Sequence, residues 1–222
     1  IRKKREILKD IYSKFVLTIE QSSNDFYTYK FKKMNEQVFW KIIEQSAIES
    51  TEITAGFRWI EQELSNLTEK NIFKFDKVVH FLLEKSNTED LWAASYVLTE
   101  EVSSEQFLVF RYWLMLQGQR IFKKAINDAE YLEMFTDDFK NKAIDLDTII
   151  GFKDLAERAY QIKTKQKNYQ KVFPYDLKIP NIGTSVSVDT IVISDLVPLL
   201  CKKMDWDIDF IKGTWKSDET PF

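Results

Sequence analysis

The chain has 222 residues, 44% of them hydrophobic and 14% aromatic, including 17 Phe and 6 Trp, which is ample material for a packed core and excludes a disordered chain. Only 5 Gly and 4 Pro punctuate it, a scarcity that favours long helices over many short strands. The formal net charge of −3 hides an asymmetry: residues 1–33 carry +5 and the remainder −8, and an acidic body argues against a general nucleic-acid binder.

Residues 1–20 open as a charged, helix-like stretch with the basic run Arg2-Lys3-Lys4-Arg5 and pass into the β-rich Phe15-Val16-Leu17-Thr18-Ile19. A solvated helix end is the plainer reading of that run, contact with an anionic partner the sharper one. Asn35 is placed to cap a helix with Phe39, Ile42, Ile43 and Ser46 inward. A second helix, 54–67, sets Phe57, Ile60, Leu64 and Leu67 at spacings of three and four. Thr68 opens a third, to residue 85, with Ile72, Phe75, Val79, Leu82 and Leu83 on one side.

Asn87 or Thr88 opens a fourth helix, 91–99, which is apolar nearly all round and therefore expected to be buried. Ser103 or Ser104 caps a fifth, holding Phe107, Phe110, Trp113 and Leu114, with Gly118 interrupting or closely packing it. The acidic stretch at Asp137 and Asp138 reads as a loop or short helix. A sixth helix is expected over 147–165, anchored by Ile150, Leu155, Ala159 and Ile162. The chain then turns irregular around Phe173-Pro174-Tyr175, with a short strand or arm over 186–193 and a last helix capped by Ser194-Asp195 and running through Leu200 to Lys203.

The expected fold class is mainly α. It consists of a basic N-terminal extension (1–33), a single helical-bundle-like domain (34–166) and an irregular C-terminal arm (167–222) ending in a short helix.

A single cysteine, Cys201, forbids an internal disulfide and fits a reducing compartment. No apolar run reaches membrane-spanning length, so a cytoplasmic protein is expected, with no membrane partner. One His and one Cys cannot supply the His and Cys sets of zinc or iron sites, and no EF-hand spacing or phosphate-binding glycine loop is present. His80 lies mid-helix without a nucleophile motif beside it, and Cys201 sits in an apolar helical context where a thiol is normally inert. No metal, cofactor or catalytic set is therefore expected.

Arginines and acids remain. Arg111 follows Phe107 by four residues and precedes Leu114 by three, so its side chain points to the apolar face; Asp76 stands the same way after Ile72 and before Val79. A buried lone charge is costly, so Arg111 is expected to pair with an acid, Asp76 first and Asp90 second. Such a pair fixes helix registry or lines a pocket for an anionic ligand. Gln117 and Arg120, expected on the other flank of the same helix, suit with Trp113 either a recognition patch or an ordinary helix seam. Glu105 and Trp92 complete the candidate binding set.

The same residues carry a resemblance. Asp90-Leu91-Trp92-Ala93-Ala94-Ser95-Tyr96, then Ser103, Phe107, Phe110-Arg111-Tyr112-Trp113-Leu114 and Gln117-Gly118-Gln119-Arg120 resemble a bacterial domain of unknown function, the family numbered four-two-four-zero. Phe39-Trp40, Phe75-Asp76 and Ala159-Tyr160 also fit its pattern, over about residues 34–166. Where that family has a glycine pair and a cysteine, this chain has Glu100, Glu101 and Val102; its two aspartates are Ser104 and Glu105 here. The resemblance implies a helical bacterial cytoplasmic protein and a binding module more than a reaction.

The leading functional expectation is a non-enzymatic interaction protein of the immunity or antitoxin kind, whose acidic surface captures a basic toxin-like partner. An enzyme or ligand sensor using Arg111, Asp76 and Glu105 is the alternative. A DNA-associated regulator using residues 2–5 ranks last.

Overall fold

Asn35 turns the chain into its first described helix by accepting the Val38 N–H on Oδ1 at 2.9 Å. In the computed structural model, residues 33–101, 103–177 and 193–206 are described. The basic run at 2–5, the β-rich stretch at 15–19 and all but Ile193 of the arm expected over 186–193 lie outside them, and Ile193 opens a helix instead. Among the described residues helix is the only regular structure, in keeping with the mainly α reading.

The helices are α1 (Glu36–Glu49), α2 (Ile53–Ser65), α3 (Glu69–Lys85), α4 (Glu89–Thr99), α5 (Ser104–Leu116) and α6 (Gln119–Asn127). A 3-10 segment (Ala129–Phe135) leads into α7 (Thr136–Lys140). Then come α8 (Leu146–Ile149), a second 3-10 segment (Ile150–Asp154), α9 (Leu155–Thr164), α10 (Tyr169–Val172), α11 (Ile193–Leu196) and α12 (Pro198–Lys203).

Cap residues start these helices where hydroxyl or amide side chains stand before an apolar run. Thr88 Oγ1 accepts the Leu91 N–H, and Ser103 Oγ accepts the Gln106 N–H. Each satisfies a donor that has no partner inside the helix. The apolar stripes follow the expected spacing: Phe57, Ile60, Leu64 and Leu67 are buried, as are Ile72, Phe75, Val79, Leu82 and Leu83. α4 buries Leu91, Trp92, Ala93, Ala94, Ser95, Val97 and Leu98, as a helix apolar nearly all round must.

The described residues gather into two compact units, each drawn from separate stretches of chain. The first holds residues up to Val79 and 147–177. Its centre is α9 packed on α2, with α1 also on α2 and α10 on α9. Phe73, Tyr160, Tyr169 and Phe173 form an aromatic cluster there, with ring centroids 5.4 to 5.8 Å apart. The second holds His80–Leu146 and the residues described from Ile193 on; α4 is its hub, meeting α5, α7, α11, α12 and the first 3-10 segment.

Several boundaries differ from expectation. The helix expected over 147–165 is three pieces. Gly151 weakens helix there, and its carbonyl accepts from Arg158 Nη2 at 2.8 Å. In α9 the buried stripe is Leu155, Ala156, Ala159 and Tyr160, which leaves Ile162, expected as an anchor, a quarter turn away and 39% exposed. The last helix is split at Val197, since proline at 198 forces the residue before it out of helical geometry (φ −137°, ψ 58°). Ser194 and Asp195 consequently lie inside α11 instead of capping one long helix.

Candidate functional site

α5 is anchored by its Ser103 cap and by a stripe, Phe107, Phe110 and Leu114, that must face inward, and this geometry carries Arg111 in with it. Arg111 is 1% exposed, among the largest fully buried side chains. Its Nη1 donates to the Leu83 carbonyl at 2.9 Å and to Asn87 Oδ1 at 3.4 Å, and Nε donates to the Phe107 carbonyl at 3.4 Å. The guanidinium carbon lies 4.4 Å from the centre of the Phe107 ring.

Leu83 belongs to the last turn of α3, where carbonyls lack partners within the helix and the dipole favours a cation. Ser86 shares the task, its hydroxyl donating to the Leu82 carbonyl at 2.8 Å and to that of Leu83 at 3.3 Å. Arg111 is thus the cap of a helix C-terminus brought from another helix. Burial lowers its pKa to about 10, only partly opposed by Tyr112, so it stays charged at neutral pH.

The first candidate partner, Asp76, falls in the first unit and Arg111 in the second. Within its own unit Asp76 is half-buried and accepts the Tyr169 hydroxyl on Oδ2 at 2.9 Å. Tyr169 is 1% exposed, and burial first, then the Asp76 charge, push its phenol pKa well above the usual range. Asp90, the second candidate, is exposed in the first turn of α4.

The remaining candidates divide between core and surface. Trp113 is 3% exposed and packs on Phe110, Phe135 and Phe139 at 5.2, 5.1 and 5.0 Å. Trp92 is buried beside Tyr96. Gln117 ends α5, half-buried, its Nε2 donating to the Trp113 carbonyl at 3.0 Å. Arg120 is not on that helix. Gly118 takes φ 88°, a backbone state that glycine alone adopts readily, and Arg120 is exposed on the next helix, α6. Glu105 is exposed in the first turn of α5, about 9 Å along the axis from Arg111 at helical rise.

Sequence reasoning missed the polar partners that hold these elements. Asn87 enters the sequence reading only as an alternative to Thr88 at the start of the fourth helix. The carboxylate of Glu130, which accepts the Leu199 and Leu200 N–H groups at 2.8 Å each, left no local signal, because about seventy residues separate them. Cys201 is buried under that contact, and its thiol pKa is pushed up to about 11 by burial and by Glu130. Among the described residues, no group of three His, Cys, Asp or Glu could hold a metal ion, and no helix is long and apolar enough to cross a membrane.

Residues 34–162 match the model of a family described as a protein of unknown function (DUF4240), and the chain belongs to that family. No curated protein and no solved structure matches the chain.

Proposed function

For this member of a family without an assigned activity, we propose the role of a non-enzymatic interaction module that captures a basic protein partner, in the manner of an immunity or antitoxin protein. The observation that supports this reading is the placement of charge. Residues 80–146, the larger part of the second unit, hold twelve Asp and Glu against seven Lys and Arg, and one of the seven, Arg111, is buried. Glu84, Glu89, Asp90, Glu100, Glu101 and Glu105 are all exposed. The described residues of the first unit hold twelve of each sign. A surface of one sign raises the capture rate of a partner of the other sign, in a way that salt suppresses.

The rival, a ligand site built on Arg111, has to contend with a guanidinium already engaged by a helix end, an amide and a ring. The test is co-expression with the protein encoded beside this one. Rescue of growth, salt-sensitive binding and loss of both on reversing Glu89, Asp90 and Glu101 to Lys support the proposal. Absence of rescue with absence of binding sinks it.

A further inference from the structure

Residues 193–206 join the second unit from outside the stretch that matches the family, which ends at residue 162. α11 and α12 both pack on α4, and α12 also packs on the first 3-10 segment. Their residues Ile193, Leu200 and Cys201 are buried, as is Val197 between them, and Trp206 meets Tyr96 edge to face at 4.9 Å. The polar fastenings all fall on residues 130–140. Glu130 accepts the two α12 N–H groups, Lys203 pairs with Glu133 at 3.3 Å, and Asp205 pairs with Lys140.

We propose that residues 193–206 form a strap that opens as a unit of its own, baring the apolar face of α4 and of the 3-10 segment that it covers. The two ion pairs are solvent-exposed, with side chains 36% to 83% accessible, and pairs of that kind hold weakly. The stronger fastening is the ionised Glu130 on two backbone donors. A short segment held by one charge-assisted contact and a few apolar side chains belongs to the low end of local stability, from which moving elements are drawn. This inference does not depend on the acidic surface of the second unit.

Cys201 is the chain's one cysteine and is 0% exposed on the strap's own buried face, so alkylation of the full chain by iodoacetamide reads the opening directly. The expected result is labelling in native buffer at a rate that depends far less on urea than global unfolding does. Glu130→Gln should speed it about tenfold, the amide being a weaker acceptor for the two N–H groups. Glu61→Gln, which alters a contact in the first unit, should leave it unchanged. Labelling that tracks global unfolding overturns the strap, as does a rate that Glu130→Gln leaves unaltered or that both substitutions raise equally.

Discussion

In the first unit Arg158 keeps 36% of its side chain exposed and reaches acids: Glu61 at 2.6 Å and Asp154 at 3.7 Å. In the second, Arg111 is buried, and within its unit it is met by two carbonyls, an amide and a ring. A half-exposed arginine neutralises carboxylates and remains part of a balanced surface. Arg111 caps a helix end from the inside and adds no charge to the outer face of its unit. The difference links a detail of internal capping to the charge that a partner would meet.

Replacing each arginine by Met is the sharpest way to break this comparison. Arg111→Met takes a donor from the Leu83 carbonyl and from Asn87 Oδ1 and removes packing on Phe107, so a loss of about 3 kcal/mol is expected in urea unfolding. Arg158→Met gives up a partly screened pair and a carbonyl contact, and should cost about 1 kcal/mol. Equal losses would remove the distinction between the two sites. Tyr169→Phe should cost about 1 kcal/mol, because the hydroxyl is lost while the half-buried Asp76 can be reached by water.

Alkaline pH should touch the second unit through Cys201. Its pKa is raised on folding from 9.0 to about 11, so the unfolded chain gives up that proton first. The stabilisation is complete below pH 9 and is lost as pH rises through about 11. Cys201→Ala should flatten that part of the urea-midpoint profile; an unchanged profile would assign the decline to other groups. The smallest effect is a gain. Glu100 ends α4 in the left-handed region at φ 60°, at a place where the family block noted from the sequence carries glycine. Glu100→Gly should add about 0.5 kcal/mol, relief of strain outweighing the extra chain entropy, as read by thermal melting.

Much of this architecture was legible before the structure. Asn35 announces its helix, and the pairs Asn87/Thr88 and Ser103/Ser104 narrow two more starts to adjacent residues, because a cap is a local device; the inward turn of Arg111 follows from spacing alone. That Arg111 also meets the Leu83 carbonyl was not legible, because a helical wheel displays side chains and not backbone carbonyls. The separation of Arg120 from α5 depended on Gly118 breaking the helix instead of packing within it, two outcomes that composition does not distinguish. Ile162 lost its anchoring place because the buried stripe of α9 takes in Ala156 and Tyr160, which centres it a quarter turn away from Ile162. The Glu130 contact unites residues about seventy apart, beyond the reach of any local pattern.

The most direct test of the central claim is calorimetric titration of the full chain with the protein encoded beside it, at low and high salt. Two charge-reversed variants should be compared, Glu89, Asp90 and Glu101 to Lys in the second unit, and Glu44, Glu52 and Glu63 to Lys in the first. The account predicts salt-sensitive binding that the second-unit variant weakens about tenfold or more and the first-unit variant leaves nearly intact. Binding indifferent to salt and to both reversals, yet abolished in a folded Arg111→Met protein, would contradict it and place the function at the buried arginine.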